Sequence, residues 1–164
     1  MKKITLTLFI LAAFIFSCKT KQTQAPTYDY EVQCLGTGKQ GTQLVKIWGY
    51  GKNPTEAIEQ AKMNAVHAIL FKGVATGSPG CIQRPLVTNN QAEEQYKTYF
   101  TEFFAINGKY LKYVTLSTDG SIDPNDRLKV GKKYKIGVAV TVNSDALRTE
   151  LEDKGIIKKL GSGF

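Results

Sequence analysis

The stretch KIWGYGKNPTEAIEQAKMNAVHAILF, residues 46–71, passes from an apolar strand-like segment through Gly49-Tyr50-Gly51 into a helix. The same order of strand, glycine pair and helix is found where a dinucleotide-binding loop sits. Asn53 can cap the helix, Pro54 takes its first position and Glu56 follows three residues after the cap. Ala57, Ile58, Ala61, Ala65, Ala68 and Ile69 then recur at helical spacing. A stripe so rich in alanine lets the helix come close to whatever it packs on. His67 falls off this stripe, beside Met63 and Phe71, and is expected at the surface or its boundary.

The nucleotide reading fails on chemistry. A dinucleotide fingerprint needs a third glycine for close helix packing, and Pro54 stands in that place. A phosphate-binding P-loop needs a hydroxyl residue after its lysine, and Gly51-Lys52-Asn53 has none. Gly49 and Gly51 are therefore read as backbone freedom at a tight strand-to-helix crossing. Neither nucleotide nor nucleic acid is expected as a partner.

Outward from this unit, Tyr28, Tyr30, Val32 and Cys34 alternate with polar residues, the pattern of a half-buried strand. A glycine-rich turn at 36–42 joins it to a second strand at 43–50, making a hairpin. Residues 73–89 carry three glycines and two prolines without periodicity, a long loop. A second helix is expected over 91–106, its stripe of Tyr96, Tyr99, Phe100, Phe103 and Phe104 belonging to the core. Residues 110–117 read as a strand and 118–133 as a long turn. Tyr134, Ile136, Val138, Val140 and Val142 mark the clearest strand, and a short helix capped by Asn143 or Ser144 stops at Gly155. The order β-β-α-α-β-β-α predicts an α+β two-layer sandwich: an antiparallel sheet of about four strands with helices on one face.

The N-terminus carries the most specific signal. Lys2 and Lys3 precede an apolar run over 4–16, too short to span a membrane, which needs about 20 apolar residues. This is the layout of a secretory signal peptide. Ile15-Phe16-Ser17-Cys18 resembles the lipobox of bacterial lipoproteins, with Phe16 departing from the usual small residue. The resemblance implies that Cys18 becomes the first residue of the mature chain and carries the lipid. Several acyl chains together hold a protein firmly to a bilayer. Lys19 follows the cysteine, similar to lipoproteins sorted to the outer membrane, so the domain is expected to face the periplasm. The expected boundaries are a signal peptide at 1–17, a lipidated tether at 18–27, one α+β domain at 28–158 and a flexible tail at 159–164.

Without Lys2 and Lys3, 20 basic residues oppose 14 acidic ones, a net charge of +6. Outside the cytoplasm such a balance favours lipid phosphates, lipopolysaccharide or acidic proteins. The lysines are dispersed along the sequence, as on a solubilising surface. With Cys18 lipidated, Cys34 and Cys81 remain as an even pair in an oxidising compartment. A disulfide between them is expected; two buried thiols, and a reactive pair formed with His67, are the alternatives. No G-x-S-x-G occurs, the single histidine excludes multi-histidine metal sites, and the acidic residues read as solvated turn and helix charges. No catalytic residue, metal ligand or cofactor is expected.

Two stretches carry a wider resemblance. GYGKNPTEAIEQAKMNAVHAIL looks like the glycine pair and alanine-spaced helix of Lpp-twenty-type lipoproteins and of the N-terminal domain of flagellar assembly protein T. YKIGVAVTVNSDALRTELEDKGII is similar to the closing strand and helix of the same group. The resemblance implies an exported, envelope-associated domain without catalytic residues, its shared positions being packing positions. The expected function is that of a non-enzymatic outer-membrane lipoprotein, an interaction or accessory subunit of an envelope assembly. The alternative is a periplasmic lipoprotein that holds a glycan or peptide with the 73–89 loop and its Tyr and Phe residues.

Overall fold

The structure, a computed structural model, describes residues 28, 30–81, 84–118 and 121–161. Cys18 and the expected signal peptide and tether lie outside the described residues. Five antiparallel strands form one sheet: β1 (Val32–Thr37), β2 (Thr42–Gly51), β3 (Val114–Leu116), β4 (Arg127–Val130) and β5 (Lys133–Asn143). The central pair is β2 with β5, in register from Thr42 opposite Asn143 to Gly51 opposite Tyr134. β1 flanks β2, while β3 and β4 share the far edge of β5. β3 lies opposite Val140–Val142 and β4 opposite Lys133–Ile136, so the sheet is four strands wide at one end and three at the other. The helices are α1 (Pro54–His67), α2 (Ala92–Gln95), α3 (Lys97–Phe103) and α4 (Ser144–Asp153). This is the α+β sandwich that the alternation implied.

Several boundaries differ from the sequence reading. β4 lies within the stretch read as a turn, because all four of its residues are exposed and no apolar face marks it. The first strand starts at Val32; Tyr28 and Tyr30 pack on α1 instead. The aromatic helix breaks at Tyr96, whose backbone leaves the helical region and whose hydroxyl donates to the Gly155 carbonyl at 3.3 Å. A 3₁₀ turn at Lys109–Tyr113 precedes β3. The aromatic stripe is core at Phe100, Phe103 and Phe104, whereas the hydroxyls of Tyr99 and Tyr113 reach Glu150 at 3.1 and 3.3 Å.

α1 packs across the inner face of β2 and β5. Asn53 caps it, with Glu56 N donating to Asn53 Oδ1 at 2.9 Å, and Glu56 in turn accepts at 3.0 Å from Lys52 N, one residue before the cap rather than from the cap itself as in a capping box. Gly49 and Gly51 sit under the helix, and neither adopts a positive φ. A Cβ on Gly49 would overlap the Ala57 carbonyl oxygen, and one on Gly51 would overlap the Ala57 amide. Conformational freedom is thus the wrong explanation for this pair. Close approach is the right one: glycines on the strand and alanines on the helix bring two backbones together. Asn64 completes the seam, its buried side chain donating to the Trp48 carbonyl at 3.0 Å.

α1 ends in a wider π turn at Ala68–Lys72, closed by Gly73 N donating to Ala68 O at 2.7 Å. The free carbonyls of Ile69 and Leu70 accept from Leu86 N and Val87 N at 3.0 and 2.9 Å. Helix ends need such partners, and here the long loop supplies them. The same loop seals the outer edge of β1. Cys34 N donates to Thr76 O at 2.8 Å, Ser78 N donates to Cys34 O at 2.9 Å, and Thr76 Oγ1 donates to Val32 O at 2.6 Å. Gly77, at φ 95°, is required there, since a Cβ would overlap the Cys34 carbonyl. The Cys34–Cys81 disulfide, with Cα atoms 5.9 Å apart, fastens this seal.

Candidate functional site

Side chains of a strand alternate between the faces of its sheet. Val45, Ile47, Ile136, Val138, Val140 and Val142 point to α1 and are buried. Lys46, Trp48, Tyr50 and Lys135 point the other way. Trp48 lies opposite Gly137 in the register, and its ring covers that glycine: a Cβ there would be 2.7 Å from Trp48 Nε1. Tyr50 lies opposite Lys135 and is 38% exposed.

The lysines brace the two rings. Lys46 Nζ lies 5.2 Å from the Trp48 ring centroid, and Lys135 Nζ lies 5.9 Å from the centroids of both Trp48 and Tyr50. Each ammonium is also held by a carboxylate, Lys46 by Asp126 at 2.7 Å and Lys135 by Glu31 at 2.9 Å. The hydrogen bond to Glu31 holds the Lys135 ammonium above the usual lysine range. Ion pairs this close to solvent add little stability, about 0–1 kcal/mol. Their effect is orientation, because they keep two large rings flat on the sheet.

A groove of about 620 Å³ adjoins this face. Tyr30, Glu31, Val32, Gln33 and Trp48 form one side, and Lys72, Gly73, Ala75 and Thr76 form the other. Lys72 Nζ sits 4.7 Å over the Tyr30 ring and donates to the Tyr30 carbonyl at 3.4 Å. Aromatic walls, an amide and one charge of each sign suit a ligand with flat apolar faces and hydroxyl or amide edges. The first residues of the 73–89 loop do line a cleft. They do so with Tyr30 and Trp48, and the phenylalanines of the second helix are in the core.

His67 departs from expectation. It is 8% exposed, inside a cage of Tyr28, Tyr30, Phe71 and Phe104. The Tyr28 ring stacks on it at 3.4 Å, and its Nδ1 lies 2.8 Å from the Tyr30 hydroxyl. The N-terminal segment folds over the face of α1 that the alanine stripe leaves free, a long-range event invisible from the helix alone. Burial first, and Lys72 second, lower its pKa to about 3. The imidazole is therefore neutral at pH 7, and the approach of Glu93 to Nε2 at 3.7 Å is not an ion pair there. With Cys34 and Cys81 joined to each other, the reading of a reactive cysteine–histidine pair is removed.

The sequence reading named Cys34 and Cys81, and the structure brings them together. It passed over Trp48, Tyr50, Lys46 and Lys135, although their period-two spacing against the buried residues was there to be read. Among the described residues no group of three metal-ligating side chains occurs, and no helix is long and apolar enough to cross a membrane. No protein-family model, curated protein or solved structure matches the chain.

Proposed function

We propose that the chain is a non-enzymatic lipoprotein, anchored through Cys18 in the outer membrane with its domain in the periplasm. There it serves as an interaction or accessory subunit of an envelope assembly. The observation that carries this reading is the asymmetry of the sheet. One face is buried under α1, while the other holds Trp48 and Tyr50 flat between lysines, within reach of solvent. Aromatic rings held rigidly at a surface are the kind of anchor that protein interfaces use. A photocrosslinker at Tyr50 should trap one protein in stoichiometric yield, and the same probe at Glu102, on α3, should not. Equal labelling from both positions would sink the interface. Cys18→Ser should abolish acyl labelling and release the chain from membranes; a variant that stays with the membrane would remove the anchor.

The groove favours a second reading, in which the domain holds a glycan or peptide. Trp48 is the only tryptophan and lines the groove, so its fluorescence reports on that site directly. Saturable quenching or enhancement by cell-wall fragments would favour this reading over a protein interface.

A further inference from the structure

Residues 127–135, RLKVGKKYK, form the hairpin of β4 and the start of β5 and hold five cations without one carboxylate. This is the one stretch where the otherwise dispersed cations crowd together. Every residue of β4 is exposed, with Leu128 and Val130 at 49% and 52%. The register sets Leu128 opposite Lys135 and Val130 opposite Lys133, so two apolar side chains share a face with two lysines. Lys129, Lys132 and Lys133 sit around the turn at Gly131.

The direction of the strands adds the second observation. β1 is antiparallel to β2, and β2 to β5. The N-terminal start of β1, the C-terminal end of β2 and the first residues of β5 therefore point to one end of the sheet. Glu31, just before β1, confirms this by its 2.9 Å pair with Lys135. Tyr28, the described residue nearest the tether, turns from there onto α1 and stacks on His67. Nine tether residues, 19–27, reach at most roughly 30 Å, so they keep the whole domain close to any bilayer that holds Cys18.

We propose that the β4–β5 hairpin rests on an anionic lipid surface, with Lys129, Lys132 and Lys133 on headgroup phosphates and Leu128 and Val130 in the interfacial layer. The occupant is a membrane on two grounds: the charge is complementary, and the short tether keeps the domain close to the bilayer that would hold Cys18. Each lysine near an anionic surface adds roughly fivefold to partitioning. The nearness to a bilayer rests on the proposed anchor at Cys18, but the lipid contact does not, so the two can be tested apart.

The test uses the unlipidated chain from residue 18 on, with Cys18→Ser and without the apolar run at 4–16, and flotation with vesicles of phosphatidylcholine, with and without one quarter phosphatidylglycerol. Binding is expected only to the anionic vesicles and should weaken between 50 and 500 mM salt. Lys129→Glu, Lys132→Glu and Lys133→Glu together should reduce it by roughly 100-fold or more. Lys39→Glu, Lys109→Glu and Lys154→Glu change the net charge equally at exposed sites outside the hairpin and should reduce it much less. Leu128→Ser with Val130→Ser should weaken binding at unchanged charge. All these positions are exposed, so unchanged thermal melts will show that the fold is kept. No binding to anionic vesicles at 50 mM salt, or equal loss in the two lysine triples, overturns the proposal. A hairpin that floats normally when mutated but loses a crosslinked acidic protein overturns it in favour of a protein partner. Acyl labelling of the Cys18 chain is scored separately, so failure of the anchor is not mistaken for failure of the hairpin.

Discussion

The Tyr30 hydroxyl lies 2.8 Å from Nδ1 of His67, so a residue two positions before the sheet's edge strand is bonded to the last residue of the helix beneath it. This bond and the stacked Tyr28 ring hold a neutral imidazole in the interior.

Acid should therefore loosen this end of the fold. The folded pKa of His67 is lowered to about 3 from an ordinary 6.5. As pH falls through that window, the unfolded chain takes up a proton that the folded one refuses, and stability drops. The full shift corresponds to at most about 5 kcal/mol. Glu93, half-exposed and raised by its partial burial, acts weakly in the opposite sense. Urea melts between pH 7 and pH 4 should show the loss, and His67→Phe should flatten the slope. An unchanged slope in that variant would show that the imidazole is not its source.

Gly49→Ala and Gly51→Ala should each destabilise by about 1–3 kcal/mol, at the upper end because the clash is with helix backbone. Lys52→Ala, an exposed change, should stay within about 0.5 kcal/mol. Nucleotide should raise the melting temperature of none of them, since Asn53 already takes the Glu56 amide and the Glu56 carboxylate itself occupies the start of α1. A nucleotide-dependent rise lost in Lys52→Ala would restore the phosphate-loop reading.

Asn64→Ala removes the donor from the buried Trp48 carbonyl and strands Gln60, which now donates to Asn64 at 2.9 Å. A cost of about 1–3 kcal/mol is expected. The Trp48 emission spectrum should shift as well, because this bond fixes the strand that carries the ring. Loss of stability with an unmoved spectrum would show that the seam does not position the outer face.

Non-reduced, unfolded protein should show no free thiol at Cys34 or Cys81. The bridge closes a loop of 47 residues, for which chain entropy implies about 4 kcal/mol. Cys34→Ser with Cys81→Ser should lower the denaturation midpoint accordingly. An unaltered midpoint would mean that the seal on β1 holds without the bridge.

What the sequence made legible was periodic or local. The alternation of 134–142, the Asn53 cap with Glu56, and the stop at Gly155 were all readable because neighbours in the chain determine them. β4 was not, since a strand exposed on all sides has no hydrophobic period to betray it. The cage around His67 and the groove beside Trp48 depend on Tyr28 and Tyr30 crossing to a helix some 37 residues away. The reason for Gly49 and Gly51 was half visible. The sequence showed that a backbone needed glycine, but only the packing showed that the need was space.

The seal on β1 also bears on how the molecule behaves among its own copies. A strand edge with open N–H and C=O groups is a template for another chain. Here Thr76 and Ser78 occupy the Cys34 groups, and a covalent bridge keeps them there. Colloidal behaviour is thereby tied to oxidation state. The oxidised chain offers no open partner at Cys34, whereas reduction would leave the cover on that strand to three hydrogen bonds alone.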